Sequence, residues 1–218
     1  MTTGVGLRER KKEQTRQLIA STAQQLFAER GFDAVTVADV ARAAEVSPGT
    51  VFNYFPTKED LFYSGMQLFE ASLVDAVRSR PVGKSVLAAF RDFILANASR
   101  LEDEEVASVI ARAARLVAGS AALQAREREL IDGYTDALAE LLVAETRASA
   151  ESIEPKVVAS ALMSTHRVLV AYVHARVLAG RHGPALAADF RVQAKRAFGR
   201  LERGFGDYDV RRKRSGGS

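Results

Sequence analysis

The sequence predicts an all-α protein with two helical domains. Apolar residues recur at helical spacing along most of the chain, and capping residues or Gly and Pro breakers separate these segments. No segment alternates apolar and polar residues between turn signals, as a strand would. With 218 residues, 47% of them hydrophobic, the chain is long enough for one small and one larger domain, or for a single large one. We expect an N-terminal three-helix domain with a helix-turn-helix, followed by a larger helical domain.

The first helix of the expected helix-turn-helix begins after Thr36. A Thr side chain is a favourable N-cap, and Asp39, three residues later, completes a variant of the capping box. The helix is expected to end near residue 44. Its apolar positions follow the spacing i, i+3, i+4 and i+7: Val37, Val40, Ala41 and Ala44.

The second helix is short and has a clear start and stop. Ser47 and Pro48 are typical of the N-cap and the first helical position, and the pair Phe55-Pro56 ends the helix because the residue before proline avoids the α region. Two short helices joined by a turn at residues 45–47 predict a helix-turn-helix at about 36–55, whose second helix enters the major groove of DNA. The expected exposed face is Ser47, Gly49, Thr50, Asn53 and Tyr54.

Further helices follow to the end of the chain. Thr57 and Asp60 repeat the Thr-x-x-Asp start signal, and the helix that they begin should end at Pro81. The remaining predicted helices span 83–100, 103–118, 120–146, 155–179 and 184–205.

The motifs of the N-terminal region resemble the DNA-binding domain of the TetR family of transcriptional regulators. The resemblance covers about residues 12–69 and differs at Phe52, where many members carry Tyr and where a phosphate hydrogen bond would be lost. By position, it implies DNA contacts at Thr50, Asn53, Tyr54 and Lys58, and we add the N-cap Thr36 to the expected DNA-binding residues. The matching motifs are Gly31-Phe32, Thr36-Val37, Val40-Ala41, Val46-Ser47-x-Gly49-Thr50, Tyr54-Phe55 and Lys58-Glu59-x-Leu61.

The resemblance also implies a homodimer, usually a repressor, that releases a palindromic operator when a small molecule enters the C-terminal domain. It places the dimer interface on the last two helices as a four-helix bundle. The apolar faces of these helices look too wide for one neighbour, although an ordinary intramolecular core would take part of them. These faces comprise Val158, Leu162, Thr165, Leu169, Tyr172, Val173 and Val177, then Leu186, Phe190, Ala194, Ala197, Phe198, Leu201 and Phe205.

Candidate effector-binding residues are expected at positions that face the C-terminal helical core. For the apolar candidates, the alternative is ordinary packing in the core. For Asn97 and His166, the alternative is a core side chain whose polar atoms are hydrogen-bonded within the protein. The apolar and polar candidates are Phe69, Phe90, Phe93, Asn97, Tyr134, Met163, His166 and Tyr172.

A looser similarity points to the kind of effector. The segments 112–117 and 123–130 are similar to a TetR subgroup that binds acyl-CoA-like ligands. This similarity implies a hydrophobic tunnel with Arg112 or Arg115 near its mouth, where a guanidinium could bind phosphate or carboxylate. A solvated helix face is the alternative for both arginines.

Basic residues cluster at both ends of the chain, whose net charge is +4. Arg8, Arg10, Lys11, Lys12 and Arg16 form either an arm that contacts DNA phosphates or a solvated helix start. The second cluster, Arg211–Arg214, is expected to belong to a basic, disordered tail at 207–218. The predicted domains are therefore 1–60 for DNA binding, 61–206 for effector binding and dimerisation, and the tail.

Other classes of protein are disfavoured by the composition. The chain has no Cys, G-x-S-x-G or P-loop, and its three histidines lie eight residues apart, so they do not share a helix face as a metal pair would. We expect no enzyme activity, cofactor or metal site. The absence of a signal peptide or long apolar run suggests a soluble cytoplasmic protein with no membrane contact. A DNA-binding protein without an effector is the remaining alternative.

Overall fold

The computed structural model describes residues 6–146, 149 and 151–205. All regular elements within these residues are helical, which confirms the predicted all-α class. The α-helices are α1 Leu7–Arg30, α2 Val37–Ala43, α3 Pro48–Tyr54, α4 Lys58–Arg78, α5 Val86–Ala96, α6 Glu104–Gly119, α7 Ala121–Thr146, α8 Glu154–Leu178 and α9 Gly183–Phe205, with a 3₁₀ segment at Asn97–Glu102.

The predicted helix at 83–100 differs from the structure at both ends. Gly83 has φ +87° and belongs to a turn that the Lys84 N–H closes on the Pro81 carbonyl. Helix α5 therefore begins after Ser85, whose hydroxyl accepts from the Ala88 N–H at 3.2 Å. After α5 the chain tightens into the 3₁₀ segment instead of continuing as an α-helix.

The chain forms two compact units. The N-terminal unit comprises the chain up to Leu68 together with Leu116–Glu127, and the C-terminal unit comprises Phe69–Arg115 and the chain from Arg128 onward. This division differs from the predicted boundary after residue 60, because the first turns of α4 pack with the N-terminal helices. The predicted tail at 207–218, including Arg211–Arg214, lies outside the described residues.

Aromatic side chains hold the start of α4 against α1 within the N-terminal unit. The Phe27 and Phe32 ring centroids lie 5.1 Å apart, and Phe62 lies 5.9 Å from Phe32. The Gln24 side-chain amide donates to the carbonyls of Leu61 and Phe62 at 3.2 and 2.7 Å. These contacts orient the helix that directly follows α3.

The segment 116–127 joins the N-terminal unit through polar contacts with α4. Arg126 donates from Nε and Nη2 to Oδ1 of Asp60 at 3.1 and 2.7 Å. The buried Tyr63 hydroxyl donates to the Leu123 carbonyl at 2.9 Å, and burial, followed by the charge of Glu127, raises the pKa of Tyr63. The predicted domain 1–60 omits this segment, since the contacts join residues sixty or more positions apart.

The C-terminal unit is built around a core to which α4, α5, the 3₁₀ segment, α6, α7, α8 and α9 all contribute. Arg80 is buried beside this core, where Nη1 donates to Glu145 Oε2 at 2.6 Å and to the Val77 carbonyl at 2.9 Å. Nε of Arg80 donates to the Lys84 carbonyl at 3.2 Å, so the guanidinium also closes the turn before α5. Fully buried core side chains include Leu73, Leu87, Phe90, Leu138, Leu142, Leu162 and Phe198.

No single helix in the described part of the chain is both long and apolar enough to cross a membrane. The consecutive helices α6 and α7 are long and apolar enough when taken together, and the chain bends by 108° between them.

Candidate functional site

The predicted capping box of α2 is present. The Asp39 N–H donates to Thr36 Oγ1 at 3.1 Å, and the Thr36 N–H donates to Asp39 Oδ2 at 3.0 Å. Hydrogen bonds from the Thr36 side chain and backbone lower the pKa of Asp39. Thr36 is exposed at the N-terminus of α2, so the capping interaction leaves it at the surface.

The turn between α2 and α3 is a Schellman motif. The Val46 N–H donates to the Ala41 carbonyl at 2.9 Å, and the Glu45 N–H donates to the Arg42 carbonyl at 3.3 Å. Glu45 has φ 54°, in the left-handed region where glycine is usually found. This turn sets the direction in which α3 leaves α2.

Helix α3 exposes part of the face that the sequence predicts. The Ser47 hydroxyl caps the helix by accepting from the Thr50 N–H at 3.0 Å, and the two hydroxyls lie 2.8 Å apart. Val51 and Phe55 are buried and attach α3 to the N-terminal unit. The opposite side is open to solvent: Ser47, Gly49, Phe52 and Asn53 are exposed, and Thr50 and Tyr54 are partly buried.

Lys58 is the first residue of α4, and its side chain is partly buried. Its ammonium donates to the carbonyls of Phe32 and Val35 at 3.0 and 3.1 Å, and Nζ lies 4.2 Å from the centroid of the Phe32 ring. An ammonium has three N–H donors, so these carbonyls use two of them. The predicted phosphate contact of Lys58 therefore rests on the third donor.

The N-terminal basic cluster lies on α1 and not on an extended arm. Leu7–Arg30 is helical, so Arg8, Arg10, Lys11 and Lys12 occupy the first turns of this helix and are exposed. The Arg16 guanidinium lies 5.2 Å from the centroid of the Phe55 ring, which connects this cluster to the end of α3. The backbone of these residues is helical and not extended, while their contact with DNA phosphates stays a prediction.

Four of the predicted effector-binding residues come together in the C-terminal unit. The ring of His166 stacks on Phe69 with centroids 5.8 Å apart and meets the edge of Phe90 at 6.4 Å. Phe93 lies 5.3 Å from Phe69. Phe90 and His166 are buried, whereas Phe69 and Phe93 are partly exposed.

The other predicted effector-binding residues have different surroundings. Met163 is a buried core residue, and Tyr134 packs partly buried against the same core. The Asn97 amide donates to the Phe93 carbonyl of the preceding helix α5 at 2.9 Å, and the Tyr172 hydroxyl donates to Asp189. Arg112 and Arg115 are exposed on α6.

Glu70 lies beside these aromatic residues, and it was not among the residues predicted from the sequence. Its Oε1 lies 2.9 Å from Nε2 of His166, and both side chains are buried. The sequence did contain a signal for Glu70. It lies three residues before Leu73 and seven before Val77, both buried, so helical spacing places its carboxyl group on the apolar stripe of α4. Glu70, Phe69, Phe90, Phe93 and His166 together are called the Glu70–His166 cluster below.

A groove of about 240 Å³ lies elsewhere in the C-terminal unit. None of the predicted effector-binding residues lines it. Its walls are Glu104, Ala107, Ser108, Ala111, Val177, Arg181 and His182.

The geometry of α2, the turn and α3 defines a helix-turn-helix DNA-binding protein. Comparison with known proteins agrees, since residues 19–64 match the family described as bacterial regulatory proteins, tetR family. The resemblance of the N-terminal region to the TetR family is thereby confirmed, and residues 19–64 form a TetR-type DNA-binding domain.

Among curated relatives, the HTH-type transcriptional regulator TcmR of Streptomyces glaucescens is 33% identical over 106 residues. The match covers 49% of this chain and 47% of TcmR, so the chain spans about half the length of this relative.

Two solved structures show the same fold over most of the chain. Thermus thermophilus FadR, a transcriptional repressor in complex with lauroyl-CoA, has a TM-score of 0.52 and 20% identity, covering 93% of this chain and 99% of FadR. NalD, a repressor of a multidrug efflux pump in Pseudomonas aeruginosa, has a TM-score of 0.53 and 20% identity, covering 88% and 97%. At these identities the likeness concerns the fold alone.

Proposed function

We propose that this protein is a dimeric repressor that binds a palindromic DNA operator and releases it when a small, mainly apolar effector binds the C-terminal unit. The observation that carries the proposal is the solvent-facing side of α3, where polar side chains and the exposed Phe52 lie opposite the buried Val51 and Phe55. In this proposal Thr50, Asn53 and Tyr54 contact bases and backbone in the major groove.

The basic residues supply the contacts to phosphate. Lys58 contributes its third N–H donor, and the exposed cations at the start of α1 add charge next to the DNA. Phosphate contacts position the protein but carry no sequence information, so specificity is assigned to α3. The protein acts in this proposal as a DNA-binding regulator without enzyme activity.

A second copy of the chain is the proposed partner of α8 and α9. The predicted interface residues Leu162, Leu186 and Phe198 are buried within one protomer, so they are unavailable to a partner. Exposed or partly exposed small and apolar residues instead recur every three or four positions, the spacing of helices packed in a bundle. They are Val157, Ala161, Ser164, Val168, Ala171, Ala175 and Leu178 on α8, and Ala185, Ala188 and Val192 on α9.

In this proposal the dimer interface uses these two stripes instead of the faces expected from the sequence. Most residues of the predicted faces are buried or partly buried, while the side chain of Phe205 lies outside the described residues. A twofold partner fits the DNA-binding role, because one short recognition helix per protomer needs a second copy to hold two half-sites about 34–36 Å apart.

Helix α4 is the proposed route from effector to DNA. Asp60 and Tyr63 lie in its first turns and contact the N-terminal unit, and Phe69 and Glu70 follow on the same helix. An effector that favours a different position of α4 would move the two recognition helices out of register with the operator. The loss of affinity equals the effector's differential binding to the two conformations.

An acyl-CoA-like effector remains a prediction. FadR from Thermus thermophilus binds lauroyl-CoA, and its fold is similar to that of this chain. Arg112 and Arg115, predicted at a tunnel mouth, are exposed, and Nη1 of Arg112 donates to the Ser108 hydroxyl at 2.7 Å. Exposed arginines of this kind can bind phosphate, but their exposure fits an ordinary solvated helix face equally well.

The proposal is tested by selecting DNA fragments from the source genome that bind the full chain. We expect a palindromic fragment protected over two half-sites, and a band shift that addition of an effector abolishes. Octanoyl-CoA and an extract of small metabolites are suitable first additions. If selected fragments share no sequence, the operator assignment fails; if no addition releases a specific fragment, the protein is a DNA-binding protein without an effector.

A further inference from the structure

The Glu70–His166 cluster contains a buried carboxylate oxygen that the fold does not satisfy. Glu70 is 3% exposed and His166 is 7% exposed. Oε1 of Glu70 is hydrogen-bonded to His166, whereas Oε2 is buried without a hydrogen-bond partner among the described residues. A carboxylate oxygen accepts hydrogen bonds, so a group that donates would satisfy Oε2.

Other buried ionic groups in the chain are treated differently. The Arg80 guanidinium donates to two carbonyls and to Glu145. Asp60 accepts from Arg126 with one oxygen and from the Thr57 N–H and hydroxyl with the other. Buried polar atoms in native proteins are generally paired in this way. Glu70 departs from that pattern in the unit expected to bind the effector.

The rings around the pair suit a cation with an apolar body. Phe69 stacks on His166, and Phe93 lies 5.3 Å from Phe69. Both phenylalanines are partly exposed, so this side of the cluster is the accessible one. Phenyl faces attract organic cations, and their carbon surface favours an alkyl or aryl group. A carboxylate or phosphate anion brings no N–H donor to Oε2, whereas an ammonium does.

We propose that the Glu70–His166 cluster binds the protonated nitrogen of an amphiphilic amine, with an ammonium N–H donating to Oε2 of Glu70 and the apolar part against Phe69 and Phe93. The inference rests on the proposed function, because it names the chemical class of its effector. It assigns Glu70 as the residue that selects the amine. It also separates this site from an acyl-CoA site, which would need a cation for the phosphates.

Matched probes test the proposal on the full wild-type chain without DNA. Octylamine, octanol and octanoate share one alkyl chain and differ in the head group. The amine is protonated at pH 7, as a lysine side chain is. By isothermal titration calorimetry we expect octylamine to bind at least about tenfold more tightly than octanoate, with octanol between them, because a hydrogen bond to a charged group is at stake. Equal affinities for octylamine and octanoate would overturn the proposal.

A pair of variants assigns the effect to Glu70. Glu70→Gln removes the charge at nearly constant shape, and we expect it to weaken octylamine binding by about tenfold or more. Asp75→Asn makes the same chemical change at an exposed position of α4 and should leave the affinity unchanged. Unaltered octylamine binding by folded Glu70→Gln overturns the assignment; if circular dichroism shows that this variant does not fold, the wild-type probe series decides.

The same probes distinguish this inference from the proposed function. Octylamine that binds but leaves the selected operator fragment bound would support the amine site and count against its role as effector site. Release by octanoyl-CoA, with no calorimetric binding of octylamine, would support the regulator and overturn the amine site. Binding of octylamine with release of DNA supports both.

Discussion

Replacing Arg126 by Ala should destabilise the N-terminal unit through Asp60. The substitution removes two hydrogen bonds to Oδ1, at 3.1 and 2.7 Å, and leaves a carboxylate whose side chain is 7% exposed. Gln67 still donates to Oδ1 at 3.3 Å, and Thr57 still donates to Oδ2. Breaking a fully buried pair costs about 3–5 kcal/mol, and a hydrogen bond to a charged group contributes about 1.5–3 kcal/mol.

The structure places the expected cost of Arg126→Ala in the lower of these two ranges. The Arg126 side chain is 30% exposed, so water screens part of the interaction, and Gln67 compensates for part of the rest. We expect a loss of about 2 kcal/mol in the free energy of unfolding at pH 7. A urea titration followed by far-UV circular dichroism measures it. Arg128→Ala is the matched control, because Arg128 is exposed on the same helix.

The pH dependence gives an independent measurement of the same interaction. Burial raises the pKa of Asp60, but hydrogen bonds from Arg126 and Thr57 and the charge of Arg126 outweigh burial, so the pKa lies below its ordinary value of 3.8. A lowered carboxyl pKa contributes stability above the unfolded pKa that is lost as pH falls through the folded pKa. The difference between wild type and Arg126→Ala should therefore shrink below about pH 4. Equal stabilities of the two alanine variants at pH 7 would refute the reasoning.

Four further predictions follow from other contacts. Tyr54→Ala should weaken binding to the selected operator by at least about tenfold while leaving the oligomeric state unchanged in size-exclusion chromatography; unchanged DNA affinity would remove Tyr54 from the interface. Glu45→Gly should raise the free energy of unfolding by about 0.5–1 kcal/mol, because glycine adopts the left-handed φ of 54° without strain, and a less stable variant in urea would contradict this. Val168→Asp places a charge at a position that is 64% exposed in the protomer and should shift light scattering towards monomer, whereas the same change at exposed Val109 of α6 should not; a variant that stays dimeric would exclude this stripe. Burial lowers the pKa of His174 from 6.5, so the unfolded chain takes up a proton before the folded chain does, and stability falls as the pH drops below about 6.5. His174→Gln should therefore reduce the slope of melting temperature against pH in thermal melts at about pH 5 to 7. An unchanged slope would contradict the assignment to His174.

Local signals in the sequence were sufficient for the helix ends of the DNA-binding region. Thr36 with Asp39, Ser47 and Thr57 with Asp60 form the capping hydrogen bonds that their spacing predicts. Each bond joins residues three positions apart, so composition and order alone determine it. The same holds for Phe55, which ends α3 before proline.

Periodicity alone could not assign the faces of the last two helices. A helix that is apolar on more than one side packs inside the protomer with one face and can offer another to a partner. In the structure the large side chains Leu186, Phe190 and Phe198 fill the protomer core, and the exposed stripe of α9 consists of smaller residues such as Ala188 and Val192. The choice between them depends on the shape of the space between helices, which a single sequence does not contain.

The Glu70–His166 pair shows the same limit for the candidate effector site. His166 was a candidate because it is polar on an apolar face, but its partner lies 96 residues away. The pairing required the packing of α4 against α8, a long-range contact that no local spacing encodes. Helical spacing predicted Phe69, Phe90 and Phe93 individually as core-facing candidates, whereas their contacts across helices and the buried carboxylate beside them could not be predicted.

The position of Glu70 on α4 connects the amine proposal to DNA release. Asp60 and Glu70 lie ten residues, or about three turns, apart on one continuous helix. Asp60 is held by Arg126 in the N-terminal unit, and Glu70 is held by His166 through one oxygen. An amine that binds the free oxygen acts on α4 itself, so its binding energy can favour a different position of this helix without an intermediate element. Because an effector shifts an equilibrium only by its differential affinity, a variant such as Glu70→Gln should keep operator binding and lose the response to amine.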